Sequence, residues 1–440
     1  MTTSGRPLLL GVDRYVLRAC ERRDAPAVLV YGPNWRDSGI PRLSANVTTV
    51  FTEDERSPEA VLSALTRAGL SGEQFTSVST TNEFALVNAA ALARVLGCSG
   101  PAPEVAVRFR DKFVQKEVVR HQGIPAARSV VVQDLYDDIP SALPFERCVI
   151  KPVMGAATRQ TATLSSVADL RNAVRDFRSQ SRSARTFVIE EFQEGDEWLV
   201  DGVVHDGEVI FYSVAEYAQP CLRAVEVQAP LEIRRFDPGT ESWTYKLADP
   251  VIQAAVAALG LTDGVFHMEL FHDNGEVFFS ECAARRGGAL VHEQVECKFG
   301  VDLGDAALSL ARGERPDVSV TESPGIVGST YIKAPPGVLF RVPSCEEVMS
   351  LPDVEYAVLT YSVGATLPAS ISDTTTRVGQ VMLRTSTVEE FHRRTEEVLS
   401  WFDSRVTVVP PGLRVRELRA MQPALGYTNE LLAMYRRQEE

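Results

Sequence analysis

Residues 264–288 read GVFHMELFHDNGEVFFSECAARRGG, and this stretch decides the fold. Alternation predicts two β-strands: Phe266, Met268 and Leu270 point one way, His267 and Glu269 the other. The turn between them sets whether Glu269 and Glu281 can cooperate. A two-residue turn over Asn274-Gly275 would pair Asp273 with Glu276 and send the two carboxylates to opposite faces. A three-residue loop, Asp273-Asn274-Gly275 with the glycine left-handed, pairs His272 with Glu276 instead. His267 then lies opposite Glu281, Glu269 lies opposite Phe279, and both carboxylates share a face. The second register is the one expected. Two carboxylates on one face, with the cation of Arg285 just past them, suit a Mg²⁺–polyphosphate site.

At 440 residues the chain is too long for one ordinary core, so about two to four domains or subdomains are expected. With 45% hydrophobic and 24% charged residues it has a globular composition. The net charge of −14 argues against nucleic acid as the main partner, but not against nucleotides, which bind through local cations. The apolar run in MTTSGRPLLLGVDRY is too short for a signal peptide, and no segment approaches transmembrane length, so no membrane partner is expected. The seven cysteines (Cys20, Cys98, Cys148, Cys221, Cys282, Cys297 and Cys345) form no CxxC pair and are odd in number. They read as reduced thiols of a cytoplasmic protein.

Short apolar runs at Pro7–Val12, Ala27–Val30, Thr48–Phe51 and Phe75–Val78 alternate with helical spacing at Tyr15–Arg23, Pro58–Ala68 and Glu83–Leu96. This predicts a small doubly wound α/β domain. It has only Gly11 after its first strand, not GxGxxG, which argues against a dinucleotide site. A helix over Arg110–Gln122 follows, then a strand at Cys148–Pro152 and a return strand at Thr161–Leu164. Next come a helix at Val167–Phe177, a strand at Thr186–Phe192 and a hairpin turning at Asp206-Gly207. Residues 215–245 show no clear period and are expected to be loop and substrate-facing structure. Arg223, Arg234 and Arg235 hint at an anionic substrate there, but read better as solvated surface arginines. Later strands are expected at Thr330–Ala334, 356–361 and 378–384, and an amphipathic helix at Ser386–Ser400.

Several charged residues fall in a telling order. Arg110-Asp111-Lys112 opens a helix. Lys151-Pro152 closes a strand ahead of Gly155-Ala156-Ala157-Thr158-Arg159, a loop with no bulky side chain before Thr158, whose N–H groups can approach phosphates. Glu190-Glu191-Phe192 follows on a strand, then Glu197, then the glutamate hairpin. No Ser-His-Asp or Cys-His constellation and no GxSxG stands out, so a covalent enzyme intermediate is not expected.

This ordered set resembles the ATP-grasp superfamily, specifically carboxylate–amine ligases of the L-amino-acid ligase and carnosine-synthase type, over about residues 75 to 405. The resemblance implies an α/β chain in five parts. These are an N-terminal α/β domain (1–103), a central ATP-binding subdomain (104–185), an ATP-grasp catalytic subdomain (186–320), a C-terminal α/β subdomain (321–410) and a tail or docking helix (411–440). It implies that Lys112 and Lys151 hold the nucleotide, that Gly155, Ala156, Ala157 and Thr158 form a flap over the triphosphate, and that one or both of Glu190 and Glu191, with Phe192, meet the adenine. Glu197 would hold the ribose or a neighbouring lysine. Glu269 and Glu281 would bind Mg²⁺, as two ions with Mn²⁺ an acceptable substitute, and Gly287 and Gly288 would bring N–H groups to a substrate carboxylate. Arg285, preferred to Arg286 by position, would hold the transferred phosphoryl group. His267 is open between a core histidine and a contact to phosphate or substrate.

One position departs from the family pattern: Ala283 stands where many members carry a metal-binding asparagine. The implied activity is ATP-dependent amide or peptide bond formation between a small-molecule carboxylate and an amine through an acyl phosphate. A homodimer is implied by the same analogy. Two alternatives remain: a purine-pathway relative using formate or bicarbonate, and a non-catalytic nucleotide sensor.

Overall fold

The computed structural model describes residues 5–38, 43–70, 72–180, 184–368, 373–374, 377–410, 412 and 417. The expected tail at 411–440 lies outside these apart from Gly412 and Glu417. The chain divides into two compact units, each discontinuous in sequence. The first is Met1–Gly155, Gln160–Val214 and Pro238–Glu322; the second is Ala156–Arg159, Ala215–Asp237 and Ser323–Glu440.

The first unit begins with a parallel sheet in the order Val47–Phe51, Ala27–Tyr31, Arg6–Leu10, Phe75–Thr80. These are the four expected strands with their ends moved by one or two residues. Helices cover both faces, burying Leu8, Val28, Val30 and Val78 on one side and Leu9, Leu17, Cys20 and Leu29 on the other. Strand order reverses between Arg6–Leu10 and Phe75–Thr80. A crevice opens there, lined by Leu10, Gly11, Asp13, Thr80 and Thr81.

The helix Lys112–His121 is capped by Asp111, whose carboxylate accepts from the N–H groups of Phe113 and Val114 at 2.9 and 3.0 Å. Its first N–H, from Lys112, donates to the carbonyl of Val153 at 2.9 Å, which ties the helix start to the end of strand Cys148–Pro152. That strand sits in an antiparallel sheet ordered Ser129–Val132, Phe187–Glu191, Cys148–Pro152, Ala162–Leu164.

The glutamate hairpin, strands Gly264–Asp273 and Glu276–Ala283, packs its inner strand antiparallel to Asp196–His205. Its register differs from the expected one. Asp273 pairs with Glu276, so the turn is the two-residue Asn274-Gly275, with φ of 50° and 85° as a type I′ turn requires. The expected three-residue loop is therefore not formed. Glu269 nevertheless pairs directly with Glu281, because the register shifts after the Leu270–Phe279 pair and leaves Ser280 as the extra residue of a bulge. His267 stands opposite Ala283 rather than Glu281. The helix Lys112–His121 caps this sheet edge: the Gln115 amide accepts from the Cys282 N–H and donates to the Cys282 carbonyl, both at 2.7 Å.

In the second unit, Ala215–Tyr217 pairs with strand Glu232–Arg235, followed by Ile326–Ile332, Gly379–Thr385 and Val354–Leu359. Helix Val388–Asp403 covers one face, and Phe391 fills the space that Gly328 leaves open. Residues 215–245 thus carry more regular structure than their aperiodic sequence suggested: a strand end, helix Cys221–Glu226, strand Glu232–Arg235 and the start of helix Ser242–Leu259. Nor are Arg234 and Arg235 solvated; they are 7% and 0% exposed, and Arg234 pairs with Glu216 at 2.9 Å. Charged residues in a buried strand break the apolar alternation that marks strands in sequence.

Candidate active site

Lysines from one helix and one strand converge on carboxylates from two strands, all within the first unit. Lys112 Nζ lies 2.8 Å from Glu281 Oε2. Lys151 Nζ lies 3.5 Å from the same oxygen and 3.0 Å from Glu190 Oε2. Lys116, one helical turn past Lys112, is buried 3.4 Å from Glu190 Oε2 and donates to the carbonyl of the bulged Ser280. Sequence reasoning missed Lys116, although its spacing from Lys112 was a usable signal.

Glu269 and Glu281 answer this field differently. Glu269 is pushed up to about 8 by burial, reinforced by the charges of Glu281 and Glu197. Burial also works against the Glu281 carboxylate, but Lys112 and Lys151 outweigh it and hold the group well below the usual carboxylate range. Lys116 is pushed down to about 8 by burial despite Glu190, whereas in Lys151 the charges of Glu190 and Glu281 overcome burial and raise the ammonium above its ordinary value. Two facing carboxylates of which only one is comfortably ionised fit a divalent cation, whose charge would let both ionise.

His267 Nδ1 lies 2.9 Å from Asp201 Oδ1, and the Gly287 N–H donates to that same oxygen at 2.9 Å. With a carboxylate as partner, Nδ1 carries the proton and Nε2 is turned to Glu269, 3.8 Å away. Asp201 was not singled out in the sequence; the strand register places it directly across from His267. A Cβ on Gly287 would stand 2.7 Å from His267 Nδ1, so this glycine is required by close approach. Gly288 has open space around it.

The remaining candidates separate. Strand alternation puts Glu190 and Glu191 on opposite faces: Glu190 meets the lysines, while half-exposed Glu191 takes a two-pronged contact from Arg128 at 2.9 and 2.7 Å. Phe192 lies under the Arg147 guanidinium, 3.5 Å from the ring centroid. Glu197 is buried and pairs with Phe271, on the strand face that carries Glu269. Arg285 Nη2 sits 3.0 Å from Glu83 Oε2. Arg286 turns elsewhere, its Nε 3.4 Å from Asp13 Oδ2 and its guanidinium 4.2 Å over the Tyr15 ring.

In the loop, the Gly155 N–H donates to the Pro152 carbonyl at 3.2 Å. Ala157 and Thr158 are both left-handed at φ 58°, and the Thr374 N–H donates to the Ala157 carbonyl and to Thr158 Oγ1, each at 3.2 Å. Two successive non-glycine residues in that region hold strain.

The sheets, the paired lysines and the facing glutamates are arranged as in the ATP-grasp fold. Residues 145–293 match the ATP-grasp domain family. In sequence the chain is 24% identical over 325 residues to the L-arginine-specific L-amino acid ligase of Bacillus subtilis, covering 72% of this chain and 76% of that protein. In structure it is similar to an L-amino acid ligase from Bacillus licheniformis, at 19% identity and a TM-score of 0.72, over 93% of this chain and all 100% of that one. It is also similar to a carboxyaminoimidazole ribonucleotide synthase from Aspergillus clavatus complexed with ATP, at 17% identity and a TM-score of 0.66, covering 91% and 100% of the two chains. The fold is therefore the ATP-grasp fold. Among the described residues no helix is long and apolar enough to cross a membrane. All seven cysteines are free thiols.

Proposed function

We propose that this protein is an ADP-forming carboxylate–amine ligase that joins an amino acid, or a related carboxylic acid, to an amine. The reading is carried by the direct pairing of Glu269 with Glu281 inside a ring of lysines, with Arg285 four residues on. The L-amino acid ligase it matches in sequence supports it over a purine-pathway enzyme, whose likeness is one of fold.

In this reading Lys112 and Lys151 neutralise the triphosphate of ATP, and residues 104–185 and 186–320 form the two halves of the nucleotide cleft. Glu190 Oε1 is buried without a hydrogen-bond partner and is left as an acceptor for the nucleotide. Glu269 and Glu281 would hold Mg²⁺, one or two ions with Mn²⁺ as a substitute, and the metal would supply Lewis-acid neutralisation of the phosphates. Arg285 stabilises charge on the phosphoryl group as a carboxylate oxygen attacks γ-phosphorus and ADP leaves. The amine then attacks the acyl carbon, phosphate departs and an amide forms. Asp201 keeps His267 in one tautomer beside Glu269 and fixes the turn at Gly287. The reduced thiols accord with a cytoplasmic setting.

The test is ADP release from ATP and Mg²⁺ with pairs of amino acids, with products read by mass spectrometry. Pair-dependent ADP release with a product lighter than the two reactants by one water supports the ligase. Nucleotide binding without turnover across the panel would reject it in favour of a sensor.

A further inference from the structure

We infer that Arg110 is a positioning residue for phosphoryl transfer: it holds Glu83, and through Glu83 it aims Arg285 and keeps that guanidinium attractive to an anion. This rests on the ligase reading above and deepens it by adding a residue that acts behind the reacting groups.

Arg110 stands just before helix Lys112–His121, where its N–H donates to the Val107 carbonyl at 3.0 Å. Its side chain is buried at 8% exposure, and three partners fix the guanidinium. Nη2 donates to the Met154 carbonyl at 2.8 Å, and Nη1 lies 3.7 Å from Glu83 Oε2. The carbon between them stands 4.8 Å from the centre of the Phe84 ring. Glu83 and Phe84 are neighbours on the loop after strand Phe75–Thr80, where the Asn82 side-chain oxygen accepts from the Phe84 N–H at 3.1 Å. A planar fork with donors on separate nitrogens lets one side chain serve both Met154 and Glu83.

The bond to Met154 extends a tie that the backbone has already made. The Lys112 N–H donates to the Val153 carbonyl, and Arg110 takes the next carbonyl along. The segment leaving Lys151 is thus fastened to the helix start at two successive residues. One buried side chain therefore links the elements that carry the two lysines to the loop that carries Glu83.

Glu83 Oε2 also receives Arg285 Nη2, at 3.0 Å. The other terminal nitrogen of Arg285 donates to the Arg286 carbonyl at 2.9 Å, so Glu83 supplies the second restraint on where that guanidinium points. Paired with Arg285 alone, Glu83 would cancel its charge where charge is needed. Arg110 makes the group two cations on one carboxylate, and the charge left over draws the phosphoryl oxygens. Burial disfavours the charge on Arg110, Glu83 favours it, and Arg285 works against it. Such a trio is costly to bury, and an arriving anion relieves it.

The experiment is a kinetic double-mutant cycle read by acid-dependent ADP release, with unfolding midpoints taken alongside. No turnover by the wild-type protein with any acid–amine pair ends the ligase reading and this one with it. In an active enzyme, Arg110→Lys offers one nitrogen where the fork offers two. Its kcat should fall roughly 10–10²-fold, with KM for ATP within about threefold. Glu83→Gln should lose a similar factor, and adding Arg110→Lys to it should cost less than about threefold more, because both act on Arg285 through one contact. Guanidinium ion should raise the kcat of Arg110→Ala by about tenfold, a recovery that lost packing alone does not show. Losses that multiply in the double variant, an unchanged kcat, or a raised KM for ATP alone overturn the assignment and leave the ligase reading intact. Where the other variants do not fold, Arg110→Lys decides by its split between kcat and KM.

Discussion

Glu269 stands directly opposite Glu281 across a hairpin whose turn alone would have set them on opposite faces. The bulge at Ser280 restores the match, and Lys116 secures that bulge by donating to the Ser280 carbonyl. A device of strand geometry, not of the turn, creates the acidic pair.

The two glutamates should separate in stability while agreeing in activity. Glu269 carries its proton near neutral pH in the metal-free protein, because burial and then Glu281 and Glu197 push it up to about 8. Glu269→Gln imitates that protonated side chain and should change metal-free unfolding by less than about 0.5 kcal/mol. Glu281→Gln removes the anion facing Lys112 and Lys151 and should cost roughly 1–3 kcal/mol. Both should abolish amine-dependent ADP release. Urea titration in EDTA beside a coupled ADP assay reads both quantities; full turnover in either variant counts against the metal assignment.

Arg285 should be irreplaceable where Arg286 is not. Arg285→Lys keeps the charge and loses the planar fork, with kcat expected to fall roughly 10²–10³-fold. Arg286 is engaged with Asp13 and Tyr15. Arg286→Lys should reduce kcat by less than about tenfold. Steady-state kinetics on the two variants would expose a reversed order.

Adjacent glycines supply an internal control. A methyl group at Gly287 meets His267 Nδ1 at 2.7 Å and Asp201 Oδ1 at 2.9 Å, whereas one at Gly288 meets nothing within 4 Å. Gly287→Ala should destabilise by roughly 1–3 kcal/mol and depress kcat, and Gly288→Ala should stay within about 0.5 kcal/mol. Thermal denaturation compares them; equal midpoints would contradict the close packing.

Lys116 should matter to stability and to nucleotide affinity. Lys116→Met leaves the Ser280 carbonyl without its donor and Glu190 with Lys151 alone. A loss of about 3 kcal/mol is expected, with a raised KM for ATP. An unchanged unfolding curve would show that the buried ammonium carries no structural weight.

Amino-acid order alone was enough for the alternating parallel sheet of the first hundred residues, the hairpin at 264–283 and the procession of Lys112, Lys151, Glu190, Glu269, Glu281 and Arg285. Apolar periodicity and turn residues are local properties, so these could be read directly. Residues 215–245 resisted because buried charges such as Arg235 interrupt the pattern. Tertiary structure decided what depends on long-range pairing. A bulge is invisible in composition, yet it set the register of the two glutamates. Strand neighbours far apart in sequence brought Asp201 to His267, and a loop of the N-terminal sheet brought Glu83 to Arg285. Residue types announce a chemistry, but the distances on which it depends arise only when separate segments pack, because Coulombic and hydrogen-bond energies are fixed by separation in space.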